Sequence, residues 1–336
     1  MHIRRRSFCS LIAKNEMKAT IFLSLAFGIA LLFILPIQTF AQKKDFADSG
    51  KKVAITIDDL PLNGPDVDLD RLKLLNQKLV RSITQNRIPV VGFVNESRLF
   101  VPGEVDQRIA ILKLWTDAGI ELGNHTYSHL GFKDVTLSQY EDDFVRGDTI
   151  TRELMKQSGQ KERFYRHPFL QMGNTPELER SFEDFISARG YRIAPVTIDS
   201  LDWLILSAYL RGIDSHDKDL MQRVSDEYIK YVDRKFEYCE SATKDIFGRP
   251  AAHILLLHAN ELNGDNFDAL IKVLKNRGYQ FVTLDEALKD PIYRTPDKYS
   301  ANSDWLASWA ESRGKRYDPP MPADFIMEIY KQGQKQ

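Results

Sequence analysis

The sequence predicts an α/β fold in which a parallel sheet of about seven strands is covered by helices. Short apolar runs alternate with amphipathic stretches at helical spacing between residues 53 and 288. Strands of a parallel sheet are buried on both faces, so they read as continuous apolar runs. About seven such units over roughly 240 residues are enough for a barrel. We find no internal repeat and no interior linker, so a single domain over residues 51–290 is the simplest account.

The predicted elements follow from the period of the apolar residues. Leu72, Leu75, Leu79 and Ile83, for example, recur at helical spacing and lie on one face. The predicted strands are residues 53–57, 89–94, 120–123, 164–166, 192–198, 254–257 and 280–283. The predicted helices are residues 70–85, 105–118, 137–157, 176–189, 218–240 and 266–277.

The N-terminus has the pattern of a secretory signal peptide. Residues 4–6 are arginines, residues 21–37 are almost wholly apolar, and the run ends in Thr39-Phe40-Ala41. We expect residues 1–41 to be the signal and residues 42–50 a polar linker. The alternative is a retained anchor, since roughly 17 apolar residues is the lower limit for crossing a bilayer. Either way, an exported protein of the periplasm or the medium is expected, with no stable membrane partner if the signal is cleaved.

The charge balance and the cysteine content argue against a nucleic-acid-binding protein and against a disulfide-linked one. Lys and Arg total 46 against 47 for Asp and Glu, so no strong field favours a nucleic-acid partner. The two cysteines are Cys9, within the expected signal, and Cys239. A mature chain with Cys239 alone forms no internal disulfide, and its core has to hold it together.

Five polar clusters fall where predicted strands end. The carboxyl ends of parallel strands meet at one edge of a sheet or barrel, which is where active sites of such folds lie. One cluster would be unremarkable, but five indicate a single site. The clusters are Asp58-Asp59, residues 125–129, residues 166–169, residues 199–203, and His258.

The histidine cluster predicts a metal site. His125 and His129 are four residues apart, as on one helical turn, and a carboxylate from another strand end would complete three ligands. A catalytic divalent ion needs such a set with open positions. The alternative for the histidines alone is two unrelated polar residues.

Asp58 and Asp59 would normally point to opposite faces of a strand. At a strand end, where the backbone turns, both can reach the cavity, so that one binds the metal while the other acts as a base. A capping aspartate beside a solvated one is the alternative. Taken alone, His258 is more typical of a satisfied core histidine, because it follows an apolar run.

The ordered set of clusters resembles the five motifs of the NodB-homology polysaccharide deacetylases, carbohydrate esterase family 4. The resemblance spans residues 53–288. The motifs read Thr-Ile-Asp-Asp, His-Thr-Tyr-Ser-His, Arg-His-Pro-Phe, Asp-Ser-Leu-Asp-Trp and Leu-Leu-His. The resemblance implies a distorted (β/α) barrel and hydrolysis of an N-acetyl group from an amino sugar within a glycan, the expected partner.

The resemblance also implies the roles of the central residues. Asp59, His125 and His129 would hold one divalent ion, zinc in the first place and cobalt or nickel as alternatives. Asp58 would be the general base that takes a proton from the attacking water, and His258 the general acid that protonates the leaving amine.

Further roles implied by the resemblance concern orientation and the pocket. Arg166 would pair with Asp58, and Asp199 or Asp202 would orient His258 or Arg166, with the spacing to Trp203 favouring Asp199 for Arg166. A backbone N–H near Phe169 would bind the oxyanion, because Pro168 has none. The remaining pocket residues are expected to be Pro168, Phe169, Asp202, Trp203 and Leu256.

Two departures from the family pattern leave the chemistry in place. Ile57 stands where Phe is usual, and Ala259-Asn260 follows His258 where Asp is common.

The substrate stays open between a glycan and a lipid-linked or small amide, and a glycan-binding scaffold without catalysis is a third reading. Residues 204–250 are either a lid or a barrel helix with a long loop. In the expected helical extension, residues 291–336, Trp305 and Trp309 form either a docking stripe or a sugar platform.

Overall fold

The computed structural model describes residues 50–295 and 305–334, and the predicted signal peptide and most of the linker lie outside this range. Eight parallel strands form one sheet in the described part of the chain. Seven follow the order β5-β4-β3-β2-β1-β7-β6, and β8 pairs with the start of β1. The strands are β1 (Lys52–Leu60), β2 (Val90–Val94), β3 (Glu121–Asn124), β4 (Phe164–Tyr165), β5 (Arg192–Ile193), β6 (Ile198–Asp199), β7 (Ala252–His258) and β8 (Gln280–Phe281).

This order confirms the predicted fold class, a curled (β/α) barrel of seven parallel strands that leaves β5 and β6 at its two ends. The two longest strands, β1 and β7, are adjacent at the centre. Their register runs from Lys52 opposite Ala252 to Asp58 opposite His258. Because the strands are parallel, these two polar residues emerge together at the carboxyl edge.

Helices follow most strands, and many begin at a polar cap. Asp68, Thr136, Thr175 and Asp217 each accept a hydrogen bond from a backbone N–H three residues later. The helices are α1 (Leu69–Asn86), α2 (Val105–Asp117), α3 (Leu137–Arg146), α4 (Ile150–Gln157), α5 (Pro176–Ser187), α6 (Asp202–Asp214), α7 (Lys218–Phe247), α8 (Glu261–Asn276), α9 (Leu284–Ala287), α10 (Trp305–Ser312) and α11 (Asp324–Gly333). Three short 3₁₀ helices cover Glu96–Leu99, Pro168–Leu170 and Pro291–Arg294.

Two predicted elements are each divided in two. The single strand expected over residues 192–198 is the pair β5 and β6, with Pro195 between them. Proline cannot donate to a strand ladder, so the pairing stops there. The single helix expected over residues 137–157 is α3 and α4. It breaks after Gly147, where an added Cβ would meet the Thr126 backbone at 2.5 Å, so the chain packs closely against the loop that follows β3.

Alternate residues of the central strands face two apolar layers. Val53, Ile55 and Ile57 of β1 pack with the surrounding helices in the large core. Ala54 faces the barrel interior in a smaller cluster that includes Phe93. On that inner face, Thr56 and Asp58 follow Ala54 towards the carboxyl end. Apolar packing therefore fills the lower part of the barrel and leaves the polar residues at its upper edge.

Residues 204–250 form most of α6 and α7, and they favour the barrel-helix alternative over a lid. Val224, Tyr228, Val232, Phe236 and Cys239 of α7 are all buried and belong to the large core. Such packing holds α7 against the body over most of its length.

The C-terminal residues dock on the body by apolar contacts. Trp309 is 1% exposed and packs with Ala251 and Ile292, which favours the docking stripe over the sugar platform. Ile326 of α11 is fully buried in the large core. Within the described residues, none of the helices combines the length and apolarity needed to cross a bilayer.

Candidate active site

Asp58 and Asp59 lie near the end of β1, at a break in its pairing with β2. The register shifts between Ile57 and Leu60, and Asp59 has a φ of 62°. Regular pleating would send adjacent side chains to opposite faces, but this irregularity turns Asp59 towards the face that carries Asp58. Both carboxyl groups reach one imidazole, because His125 Nε2 is 3.7 Å from Asp58 Oδ2 and 3.5 Å from Asp59 Oδ1.

His125 and His129 lie in a loop after β3 and not on a helical turn, so that part of the prediction is wrong. Thr126 and His129 have positive φ values of 64° and 57°. The N–H of Thr126 donates to Asn124 Oδ1 at 2.8 Å, and the N–H of His129 donates to Thr126 Oγ1 at 3.1 Å. Because nearby side chains accept these N–H groups, the loop holds its shape without helical hydrogen bonds.

Asp59, His125 and His129 form the one candidate metal-ligand group in the described part of the chain. Their ligand atoms all lie within 4.8 Å of one another, and His129 Nε2 is 3.4 Å from Asp59 Oδ1. That oxygen is buried and accepts no hydrogen bond within the described residues. A buried carboxylate oxygen and two ring nitrogens converging on one point fit a divalent cation with further positions open.

The hydrogen bond on the far side of His125 orients its ring for this purpose. His125 Nδ1 lies 2.8 Å from the backbone oxygen of Arg166. A carbonyl oxygen can only accept, so Nδ1 carries the proton and the Nε2 lone pair points towards Asp59. Burial and the neighbouring His129 lower the pKa of His125 to about 3, which keeps the ring neutral and able to bind a cation.

The charge of Asp59 suits the same role. Burial alone would raise the pKa of this carboxyl group, but the adjacent His129 and His125 rings hold it below its ordinary value. Burial also lowers the pKa of His129, against the opposing charge of Asp59. The group therefore presents one carboxylate and two neutral imidazoles near neutral pH.

Asp58 is held by a buried arginine. Arg166 is 1% exposed, its Nη1 is 3.4 Å from Asp58 Oδ2, and its Nη2 donates to Thr56 Oγ1 at 2.9 Å. Burial raises the pKa of Asp58 to about 7, although the Arg166 charge opposes this shift. Asp58 Oδ1 is buried and has no hydrogen-bond partner among the described residues. A carboxyl group that titrates near neutrality and keeps one oxygen available suits a general base.

His258 is paired with Asp202, so Asp202 and not Asp199 is the aspartate that contacts this histidine. Asp202 Oδ1 is 2.8 Å from His258 Nδ1, and Asp202 Oδ2 accepts the backbone N–H of His258 at 2.8 Å. Burial would lower the pKa of His258, but Asp202 raises it to about 10, so the imidazole is protonated at neutral pH. Asp202, expected in the pocket wall, is instead fully buried beside His258.

Asp199 lies three residues before Asp202 and makes a different contact. Its Oδ1 accepts the N–H of Leu201 at 2.9 Å. Burial lowers the pKa of Arg166. The negative charge of Asp58 opposes this shift, and the charge of Asp199 opposes it to a smaller extent. A catalytic role for Asp199 stays a prediction.

The expected pocket residues are placed unequally around this centre. Phe169 is 61% exposed, follows the buried Pro168, and its ring centroid is 4.4 Å from that of His129. Leu256 is 4% exposed and lies two residues before His258, on the same face of β7. Trp203 is 39% exposed and meets Tyr330 of α11 edge-on, with ring centroids 6.0 Å apart.

Three asparagines at the site are not among the residues that the sequence patterns predict. Asn63 Nδ2 donates to Asp59 Oδ2 at 2.7 Å. Asn260 Nδ2 donates to Asp202 Oδ2 at 3.0 Å, and Asn263 donates to the same oxygen. The side chain of Asn260 also caps α8 by accepting the Asn263 N–H. Asn260 and Asn263 could have been predicted from the sequence, because an asparagine shortly after His258 is typical of a helix N-cap. No local sequence pattern predicts the role of Asn63.

Comparisons with known proteins agree with the motifs. The family model described as polysaccharide deacetylase matches residues 46–181, which contain the aspartate pair, both loop histidines and Arg166. A peptidoglycan-N-acetylglucosamine deacetylase of Bacillus cereus is 23% identical over 257 residues, covering 73% of each chain.

Two solved structures show the range of similar proteins. A family 4 acetyl xylan esterase from Clostridium thermocellum, in complex with cobalt, is 21% identical, with a TM-score of 0.45 over 70% of this chain and 90% of its own. A pseudoenzyme of the same family from Bacillus anthracis is 16% identical, with a TM-score of 0.45 over 70% of this chain and 65% of its own. In its motifs and in this partial family match, the chain resembles the NodB-homology polysaccharide deacetylases.

Proposed function

We propose that this protein is an exported, metal-dependent hydrolase that removes N-acetyl groups from the amino sugars of a glycan. One observation carries the proposal. Asp58 and His258 are register partners on β1 and β7, at the sheet edge where Asp59, His125 and His129 converge. A candidate base and a candidate acid beside a cation site supply the proton acceptor, the proton donor and the Lewis acid that amide hydrolysis uses.

A divalent cation held by Asp59, His125 and His129 would polarise the amide carbonyl and lower the pKa of a coordinated water. Asp58, with its unpartnered Oδ1, takes a proton from the attacking water. Arg166 lies against the other oxygen of Asp58 and favours its ionised form. The pairing leaves Oδ1 as the oxygen that receives the proton.

His258 supplies the proton for the leaving group. Its Nδ1 is held by Asp202, so Nε2 is the nitrogen that faces the site and donates. The water oxygen forms the new bond to the acetyl carbon, the C–N bond breaks, and the sugar amine leaves with the proton from His258. Acetate and a free amino sugar are the products, and a main-chain N–H at Phe169 would donate to the developing oxyanion.

The glycan is proposed from the relatives rather than from a pocket. The Bacillus cereus relative is named for N-acetylglucosamine of peptidoglycan, so an N-acetylated glycan such as peptidoglycan is the first substrate class to test. A lipid-linked or small amide is the alternative within the same chemistry. A scaffold without catalysis is disfavoured, because the base lies beside the three candidate ligands and the acid is its register partner on the neighbouring strand.

The first experiment measures metal content and acetate release on the same preparation. Protein treated with a chelator and then reloaded with zinc is assayed on N-acetylglucosamine oligomers and on peptidoglycan. One zinc per chain and restored acetate release support the proposal. Asp58→Asn should then keep the zinc and lose turnover. Bound zinc without acetate would move the search to different amides, and no bound zinc would overturn the mechanism.

Export is tested separately. Residues 1–41 carry the signal pattern, so the full chain should fractionate outside the cytoplasm, with a mature N-terminus near residue 42. A chain that starts at residue 42 should stay inside the cell. A full-length chain recovered only from the cytoplasm would overturn the export proposal.

A further inference from the structure

Asn63 connects the candidate cation site to the histidine acid. It lies three residues after β1 and makes three hydrogen bonds. Its N–H donates to the Ala259 oxygen at 2.7 Å, its Nδ2 donates to Asp59 Oδ2 at 2.7 Å, and its Oδ1 accepts from Asn260 Nδ2 at 3.5 Å. Asn260 Nδ2 also donates to Asp202 Oδ2 at 3.0 Å. Two side-chain amides therefore span the distance from Asp59 to Asp202.

The side chain of Asn63 selects which oxygen of Asp59 is available. Oδ2 is taken by the amide, whereas Oδ1 lies 3.5 Å from His125 Nε2 and 3.4 Å from His129 Nε2. A carboxylate free to rotate could present either oxygen, or both, to a cation. The hydrogen bond from Asn63 removes that freedom, as outer hydrogen bonds do for ligands in metal sites.

The second half of the connection reaches the acid. Asp202 accepts from the His258 backbone and lies against its ring, while Asn260 caps α8 with its own Oδ1. A shift of the loop after β1 would therefore be felt at Asp202 through Asn260. The backbone bond from Asn63 to Ala259 joins the same two segments.

We propose that Asn63 is a positioning residue that fixes the Asp59 carboxylate for a cation and, through Asn260, keeps the Asp202–His258 pair in register with it. This inference rests on the proposed function for its catalytic consequence, but its effect on cation binding does not depend on the substrate. The backbone bond to Ala259 survives any substitution except proline, so side-chain variants isolate the amide.

The test uses cobalt(II) as the probe, because its visible spectrum reports ligand geometry. Cobalt affinity, the visible spectrum and the melting temperature are measured for the full chain, Asn63→Leu and Asn63→Gln. Asn266→Leu is the matched control, since Asn266 is a buried asparagine whose amide donates to the Leu262 backbone in α8. Asn63→Leu should weaken cobalt binding about 10- to 100-fold and change the spectrum, with Asn63→Gln recovering part of the affinity. Asn266→Leu should bind cobalt as the wild type does.

A second variant tests the connection to the acid. Asn260→Ser keeps a cap oxygen for α8 but loses the amide NH2 group that donates to both Asn63 and Asp202. We expect it to shift the alkaline limb of kcat/KM while changing cobalt affinity less than Asn63→Leu does. Cobalt affinity of Asn63→Leu within twofold of the wild type would overturn the positioning role, even if the protein releases acetate. A wild type that binds cobalt but releases no acetate would overturn the proposed function. The cobalt affinities of the Asn63 variants would still decide whether Asn63 positions the Asp59 carboxylate.

Discussion

Asp202 holds His258 at two points, with one carboxylate oxygen on ring Nδ1 and the other on the backbone N–H, both at 2.8 Å. The ring cannot rotate about its side-chain bonds without breaking the first contact, and the second ties the carboxylate to the end of β7. Asn260 and Asn263 donate to the same carboxylate. Such a fully bonded buried carboxylate stays charged, and its charge acts directly on the imidazole.

Replacing Asp202 by Asn should shift the pH dependence of the reaction. Asp202 raises the pKa of His258 to about 10, so removing its charge lowers that pKa. His258 then loses its proton at a lower pH, and the alkaline limb of kcat/KM moves down by roughly one pH unit or more. Asp214→Asn, at the exposed end of the same helix, is the control and should leave the profile unchanged. An unchanged alkaline limb in Asp202→Asn would mean that another group is the acid.

Replacing His125 by Ala should abolish tight zinc binding. The ring supplies one of three converging ligand atoms, and its Nε2 is fixed by the bond from Nδ1 to the Arg166 backbone. Zinc content measured after dialysis should fall from about one per chain to near zero. His216→Ala removes an exposed histidine at the end of α6 and should keep the zinc. Full zinc retention in His125→Ala would place the metal elsewhere.

The sequence predicts those parts of the site that lie at the carboxyl ends of the strands. Parallel strands bring their carboxyl ends to one edge, so Asp58, His125, Arg166 and His258 had to meet once the strands were correctly identified. The loop conformation at His125 could not be predicted, because a four-residue spacing fits both a helix and a loop held by Asn124 and Thr126.

Long-range contacts account for the features that the sequence does not predict. The sequence does not decide between Asp199 and Asp202, because the turn between them depends on Leu201, which has a φ of 50°. Asn63 is drawn to Asp59 and Ala259 by the path of the loop after β1, which no local pattern encodes. Apolar residues continue on both sides of Pro195, so the apolar pattern alone predicts one strand over residues 192–198 where the sheet has two.

Replacing Ile326 by Ala should destabilise the protein without changing its chemistry. Ile326 is fully buried where α11 meets the main core, so truncation leaves a cavity. We expect the free energy of unfolding in urea to fall by about 2–4 kcal/mol, with kcat/KM within about twofold of the wild type. Glu328→Ala, on the exposed face of the same helix, should cost little. A loss below about 1 kcal/mol for Ile326→Ala would show that α11 does not unfold with the core.

Three acids, Glu96, Asp148 and Glu162, lie close together near the start of α4. Glu162 is 3% exposed and Glu96 is fully buried, and Asp148 contacts Tyr191 and Arg152. Burial raises the pKa of Glu162 well above its ordinary value, and the charge of Asp148 adds to the shift. A carboxyl group with a raised folded-state pKa binds more protons when folded than when unfolded, so stability falls as the pH rises from the unfolded pKa, about 4.3, towards the folded one.

Replacing Glu162 by Gln should therefore stabilise the protein most at high pH. Glutamine has the shape of the protonated acid and no charge to bury, so it removes the cost of keeping Glu162 protonated or of ionising it inside the protein. The melting temperature of Glu162→Gln should exceed that of the wild type at pH 8, and the difference should shrink towards pH 5. Glu153→Gln, an exposed residue of α4, is the control and should show no such dependence. A variant less stable than the wild type at pH 8 would mean that the ionised carboxylate is favoured in the folded protein.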